Sequence, residues 1–373
     1  GVFSHTGFTS RYFNGDGYYP TLGAAQSTDS PCYPWYQWRH WPDAYESWWG
    51  IPSLPTLDKH CPAYQDFLFG GADSVIPHWL RLGADGWRLD VADELPDDFV
   101  RGIHTAARQV SPQALVLGEV WEDGSTKIAY GVRRKHLLGH HLDGLMNYPF
   151  RTALLAFLLE GDGAAFQSSM ETLREHYPPF AFYNAMNFLG THDTPRILTL
   201  LGTGGDVDAH DRNWRRSHRL SPVELDRGLT LLKLGLLVLF TFPGAPTVYY
   251  GDEAGLEGFE DPWNRRTYPW GRENHSLLVF CQALGRYRKE LTALRKGDLF
   301  WGSCQGHTLS FRRSYNGALA ATAVNVGIAP AVVTLPWPTT TTPVQDQLTG
   351  QQYLPHNGTL TLTLPGYTGA LLC

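Results

Sequence analysis

The chain has little charge, no excess of basic residues and no long apolar run. Only 18% of its 373 residues are Asp, Glu, Lys or Arg, against roughly 25% in an ordinary soluble domain. Its 30 Lys and Arg are outnumbered by 36 Asp and Glu, for a net charge of −6, so no basic face is expected for a nucleic acid or an anionic membrane. No segment approaches the roughly 18 apolar residues of a membrane span; the nearest, Leu234 to Phe242, is far shorter and follows Lys233. The five cysteines, Cys32, Cys61, Cys281, Cys304 and Cys373, are odd in number and contain no C-x-x-C pair, so no metal site is expected from them. Free buried thiols and a cytoplasmic setting are the expectation, with export left open because the chain opens on Gly1 without a signal peptide. Internal repeats, a Gly-rich phosphate loop, H-E-x-x-H and a nucleophile elbow are also missing, which sets aside the chemistries those motifs carry.

What is present is apolar and aromatic. Hydrophobic residues make up 43% of the chain, enough for a sizeable core, and 13% are aromatic, including 13 Trp. Flat rings suit a packed interior and also the apolar faces of sugars. The length suggests about two domains. The first sixty residues read as irregular structure punctuated by Gly, Pro and aromatics, such as Pro34-Trp35-Tyr36, Trp38 and Trp48-Trp49-Gly50; a stretch that long without periodicity tends to be functional. From about 63 to 290, short apolar runs (Gly86–Val91, Leu115–Trp121, Gly144–Tyr148, Asn187–Thr191, Thr247–Tyr250) alternate with helical stretches (Ala63–Leu82, Asp97–Val110, Ser221–Phe240). Gly70, Gly71 and Pro77 interrupt the first helical stretch, whereas Ser221, Pro222 and Glu224 spell a capping box at the start of the last. Such alternation implies parallel βα units. From about 297 the texture becomes all-β, with Asn316-Gly317 as a hairpin turn between Thr308–Arg313 and Ala318–Val324, followed by Val332–Leu335 and Thr359–Leu364.

Polar residues gather where the apolar runs end. Arg88 and Asp90, two apart, share one face of a strand, the inward face if the sheet closes into a barrel. They read as a structural ion pair or as a carboxylate kept ionised for nucleophilic work. Glu119, leaving an apolar run beside Trp121, is either a structural acid or a proton donor whose affinity burial can raise. Asp193 after His192 is either a cap or a third site acid. Three acids leaving three strand ends fit the face where βα-barrels build active sites, and carboxylates among aromatics with no metal motif fit glycosidic-bond hydrolysis.

Four segments then resemble, in order, the motifs of the α-amylase family, glycoside hydrolase family 13. They are Gly1-Val2-Phe3-Ser4-His5, Gly86-Trp87-Arg88-Leu89-Asp90-Val91-Ala92-Asp93-Glu94, Gly118-Glu119-Val120-Trp121 and Gly190-Thr191-His192-Asp193. Leu54-Pro55-Thr56-Leu57-Asp58 is similar to the family's motif in the segment inserted after barrel strand three. Tyr249-Tyr250-Gly251-Asp252-Glu253 is similar to its eighth strand, and Asp261-Pro262-Trp263-Asn264-Arg265-Arg266 to the stretch that follows. Among branches, the likeness is to the neopullulanase, cyclomaltodextrinase and amylopullulanase-like group.

The resemblance implies a (β/α)8 TIM-type barrel, here lacking its first strands, followed by a C-terminal antiparallel β-sandwich. Residues 1–62 would hold the end of strand three and the inserted irregular domain, 63–296 the rest of the barrel, and 297–373 the sandwich. With strands one, two and most of three missing, the expectation is an N-terminally truncated piece, prone to aggregate and inactive by itself. Asp90 would be the nucleophile, oriented by Arg88; Glu119 the acid and then the base; Asp193 the stabiliser of the oxocarbenium-like transition state. His5, Trp121 and His192 would contact the sugar. The implied activity is retaining hydrolysis of α-1,4, and secondarily α-1,6, bonds in maltooligosaccharides, cyclodextrins, pullulan or starch. The alternatives are an α-glucanotransferase with the same covalent intermediate, or a non-catalytic member. No cofactor is expected: Ser4 stands where many relatives have an Asn calcium ligand, and Asp93-Glu94 replaces a common Lys-His pair.

Overall fold

Ring packing, more than strand pairing, organises the first sixty residues. The computed structural model describes residues 1–205, 207 and 210–373, which divide into two compact units, Gly1–Met146 with Tyr177–Ala181, and Asn147–His176 with Phe182–Cys373. In the first unit, fully buried Phe13 is surrounded by the rings of Phe8, Tyr36, Trp38 and Tyr45 at centroid distances of 4.8–5.6 Å. A small antiparallel ribbon of β1 (Trp38–His40) and β2 (Ala44–Tyr45) is the regular structure there.

Parallel β-structure follows. Strands β3 (Gly86–Leu89) and β4 (Leu115–Gly118) pair in parallel. After β4 come β5 (Ile128–Ala129) and β6 (Val132–Arg133), an antiparallel ribbon, and then β7 (Gly144–Leu145), which pairs in parallel with β4. Gly86 permits the close approach of β3 to β4, since a Cβ there would lie 2.2 Å from the Leu115 carbonyl oxygen. Along the other edge of β3, the Asp90 N–H donates to the Gly1 carbonyl (3.0 Å) and the Gly1 ammonium donates to the Arg88 carbonyl (2.6 Å). The helix Asp97–Val110 links β3 to β4 and buries Phe99, Val100, Ile103, Ala106 and Ala107, the 3–4 spacing of one apolar face. The stretch expected as one helix from Ala63 to Leu82 is broken into Pro62–Gln65, a wider π-helical turn at Asp66–Gly70, and Val75–Arg81. The break falls at Gly70-Gly71, while Pro77 sits in a first turn, where a missing N–H breaks no helical bond.

In the second unit β8 (Met186–Phe188) and β9 (Ala245–Thr247) pair in parallel. Between them runs the helix Pro222–Thr241, which starts with the expected capping box: the Ser221 N–H donates to Glu224 Oε2 (2.7 Å) and the Glu224 N–H to Ser221 Oγ (3.4 Å). The five parallel strands thus lie in two ladders, and no closed ladder is formed among the described residues. The C-terminal region is antiparallel throughout. Strands β10 (Asp298–Trp301), β11 (Thr308–Tyr315) and β12 (Ala318–Asn325) form one sheet with β17 (Thr368–Leu372). Strand β13 (Ala331–Pro336) pairs with β16 (Thr359–Leu364), and β14 (Val344–Gln345) with β15 (Gln352–Tyr353). Asn316 and Gly317 both have positive φ (47° and 83°), as a two-residue hairpin turn requires. Side chains from β12, β13, β16 and β17, among them Ala323, Val333, Leu362 and Leu372, form a shared core, so this region is a sandwich. Its other side lies on the Pro222–Thr241 helix, where a Cβ on Gly369 would come within 2.6 Å of Leu237. Buried Arg313 ties the sandwich to that helix, donating to the carbonyls of Thr241 (2.9 Å) and Gly297 (3.0 and 2.8 Å); burial lowers its pKa to about 9.

Candidate active site

Strands β3 and β4 each stop one residue short of an acid. β3 ends at Leu89 and β4 at Gly118, so Asp90 and Glu119 are the first residues past the ladder and their side chains leave the sheet edge together. Arg88 joins them: Nη1 is 2.5 Å from Asp90 Oδ1, and Nη2 is 3.1 Å from Glu119 Oε2. Its third nitrogen, Nε, donates to Met146 Sδ at 3.3 Å. Glu119 is only 4% exposed, and a carboxylate so buried needs several donors. It has two: the Trp121 indole N–H lies 3.2 Å from Oε1 and the Val91 N–H 2.9 Å from Oε2, beside the ion pair with Arg88. Val91 delivers that N–H from a left-handed backbone (φ 39°), a conformation rare for a β-branched residue and one that clusters at functional sites.

The irregular segment brings further groups to this edge. His5 bridges to Thr56, receives or donates a 2.8 Å bond with Ser4 Oγ through Nδ1, and stacks on Trp48 at 4.9 Å. Burial lowers its pKa, with nearby Asp90 opposing and Lys59 adding to the shift, so the ring is neutral at neutral pH. Trp48 in turn stacks on Trp49 at 4.5 Å, and Trp49 is 73% exposed. Glu94 links this platform to the β5–β6 ribbon, accepting from Trp49 Nε1 (3.1 Å) and from the Tyr130 hydroxyl (2.5 Å). Its neighbour Asp93 holds the base of the same ribbon through His136 (2.9 Å) and Lys127 (3.1 Å). Burial would raise the Asp93 pKa, but those two partners outweigh it and the pKa is lowered. Trp49, Glu94, Tyr130 and Arg134 line a cavity of about 470 Å3.

The second unit carries His192 and Asp193 in the loop after β8. His192 Nε2 and Asp193 Oδ2 are 3.2 Å apart, and Arg265 Nη2 reaches Asp193 Oδ1 at 3.3 Å and Asp261 Oδ2 at 3.0 Å. The loop is positioned through its backbone: buried Asn264 donates to the carbonyls of His192 (2.6 Å) and Thr194 (2.9 Å). Beneath it, fully buried Arg196 donates to the Asn264 carbonyl (2.7 Å), lies over the rings of Tyr249 (4.1 Å) and Tyr250 (4.6 Å), and meets Asp252 at 3.1 Å. Desolvation exceeds the attraction of Arg196, so the Asp252 pKa is pushed up to about 7.

Of the residues singled out in the sequence, His5, Arg88, Asp90, Glu119 and Trp121 gather in the first unit, and His192 and Asp193 form a separate cluster in the second. Arg265 and Asn264, the partners of the Asp193 loop, lay inside the quoted Asp261–Arg266 segment without being assigned a part. Val91 and Glu94 lay inside the quoted Gly86–Glu94 segment without being assigned a part, and Met146, Tyr130, Lys127 and His136 carried no signal, because their contacts are distant in sequence. The cysteines are free, and no group of three or more His, Cys, Asp or Glu that could hold a metal ion occurs among the described residues.

Comparison with known proteins identifies the family. Residues 26–274 match the family model for the alpha amylase catalytic domain. The chain is 33% identical, over its whole length, to an amylopullulanase of Thermoanaerobacter thermohydrosulfuricus, of which it spans 27%. Over 86% of its length it is 30% identical to neopullulanase 2 of Thermoactinomyces vulgaris, of which it spans 50%. The chain thus covers between a quarter and a half of these curated relatives. The solved debranching enzyme of Nostoc punctiforme superposes with a TM-score of 0.80 at 27% identity, covering all of this chain and 74% of that one. The βα alternation, the acids at the strand ends and the terminal sheet domain are those of a TIM-barrel glycosidase fold, and the chain belongs to the α-amylase family.

Proposed function

We propose that the protein is a retaining α-glucan hydrolase that cleaves α-1,4 and, secondarily, α-1,6 glucosidic bonds. The observation that carries the reading is the single guanidinium of Arg88, hydrogen-bonded to Asp90 and within ion-pairing distance of Glu119. Two carboxylates that share one guanidinium favour the short spacing of roughly 5–5.5 Å used for retention over the wider spacing of inverting enzymes. Asp90, more open than Glu119 and held by Nη1, attacks the anomeric carbon to form a β-glycosyl ester. Glu119, dry and beside Trp121, gives its proton to the leaving oxygen and then takes one from the incoming water. Asp193 stabilises the oxocarbenium-like transition state through sugar hydroxyls, with His192 and neutral His5 as hydrogen-bonding partners. The exposed face of Trp49 takes a glucose ring by its apolar C–H face. The five parallel strands correspond to strands four to eight of the barrel, residues 1–62 to the end of strand three and the inserted segment, and 297–373 to the sandwich. The names of the related amylopullulanase and neopullulanase support an α-glucan as substrate.

The test is NMR of the first-formed anomer released from maltotriose, pullulan or β-cyclodextrin. Retention gives the α-anomer first; a β-anomer overturns the assignment. Products longer than the substrate at high maltotriose concentration assign the chain to transfer instead of hydrolysis.

A further inference from the structure

The second unit holds another cavity, of about 600 Å3, a volume typical of small-ligand sites, and none of the acids assigned above lines it. Two helices, Tyr148–Glu160 and Ile197–Thr203, end at its wall in left-handed glycines, Gly161 (φ 77°) and Gly204 (φ 83°). Both positions favour glycine through their backbone, and a Cβ would also crowd the lining: on Gly161 it would lie 1.8 Å from His307 Nδ1, and on Gly204 2.2 Å from Arg227 Nη2, which would have to move. The opposite wall comes from the sandwich, through the turn after β12 with Ile328 and the turn before β17 with Tyr367. Tyr367 is itself left-handed (φ 53°) and anchored by its N–H to the Gly327 carbonyl (3.0 Å). A large aromatic residue is strained at such a backbone position, where Gly or Asn would sit easily, yet its ring stays 45% exposed at the cavity, next to Ile328 at 84%.

The charge of the lining selects the ligand. Glu160 and the carbonyl ends of two helices make one side acceptor-rich and repel a phosphate or carboxylate. Arg227 already supplies the cation those carbonyls favour, with Nε donating to the Leu201 carbonyl (3.2 Å), so a simple cation gains little. What remains is a neutral molecule with hydroxyls on its edges, for Glu160, Arg227, Thr203 and His307, and an apolar face for Tyr367 and Ile328.

We propose that this cavity is a second saccharide-binding site, separate from the catalytic groups, that takes one or two glucosyl units of a glucan chain against Tyr367. That the saccharide is an α-glucan rests on the function proposed above. The test uses the full chain with Tyr367→Asn, which removes the ring and keeps a residue suited to positive φ, and Ile328→Ser, which alters an exposed side chain. Retention on granular starch and titration with β-cyclodextrin are measured, alongside kcat/KM on maltotriose and the thermal midpoint. Loss of the ring is expected to weaken starch binding about five- to tenfold, the scale of one aromatic contact, with kcat/KM on maltotriose unchanged and a smaller loss for Ile328→Ser. Unchanged starch and cyclodextrin binding in both variants overturns the site. A chain that hydrolyses no α-glucan but loses starch binding in Tyr367→Asn overturns the proposed function and leaves this site standing. A Tyr367→Asn chain that fails to fold leaves Ile328→Ser to decide, and full binding there counts against the proposal.

Discussion

The two acid clusters are built on opposite plans. In the first unit Glu119 is buried and Asp90 partly so, and both lie within ion-pairing distance of Arg88. In the second unit the Asp193 side chain is open to solvent, its partner Arg265 is shared with Asp261, and its loop is held by Asn264 through backbone carbonyls. A carboxylate that must stay in a dry place requires a counter-charge beside it. A carboxylate at an open rim requires only that its backbone be fixed, since water screens it.

The comparison is sharpest in activity. Glu119→Gln and Asp193→Asn should each lower kcat by about 10^2–10^4-fold, the span of a lost acid–base or charge-stabilising group. Only Glu119→Gln should also shift the melt, by about 1–2 kcal/mol, because an amide cannot accept both the Val91 and Trp121 N–H groups that meet the buried carboxyl. Equal melting of the parent and Glu119→Gln, or a destabilised Asp193→Asn, would break the contrast between buried and open acids. Next comes the support of the Asp193 loop. Asn264→Ala removes two bonds from a buried amide and should cost about 2–3 kcal/mol in a denaturant titration. Arg265→Ala, at an exposed ion pair, should cost under about 1 kcal/mol while raising KM or lowering kcat; the reverse order would show that the ion pair and not the backbone fixes the loop.

The two units also differ in the sign of a pH dependence. Asp93 in the first unit has a lowered pKa: its stabilisation is present above the unfolded carboxylate range and is lost as pH falls through the folded value. Asp252 in the second unit is raised to about 7, so between about pH 4 and pH 7 the folded state holds a proton that the unfolded state releases. Its contribution therefore falls as pH rises across that window. Thermal midpoints of Asp252→Asn should lose this decline relative to the parent, and those of Asp93→Asn should lose the acid-side drop. Parallel pH profiles for Asp252→Asn and the parent would remove the second half of the comparison.

Much of this was legible in the sequence, for identifiable reasons. Capping at Ser221 and the Asn316-Gly317 turn between two strands are set by neighbours a few residues away, and they appear as read. The pairing of Arg88 with Asp90 follows from a spacing of two on one strand. The strand ends were overestimated because the residues after Leu89 and Gly118 look extended in sequence, while their side chains are drawn off the ladder by charge and by the turn at Val91. Arg196 under Tyr249 and Tyr250, and Met146 against Arg88, could not be seen, since their partners lie some fifty residues or more away along the chain and only folding brings them together.

The Glu94 carboxylate grips an indole from the irregular first sixty residues and a phenol from the tip of the β5–β6 ribbon, while the base of that ribbon is pinned by Asp93. Two walls from distant parts of the chain thereby meet at one carboxylate. Widening the cavity they line means giving up one or both of those bonds, so its width depends on Glu94 as well as on the side chains that face the opening.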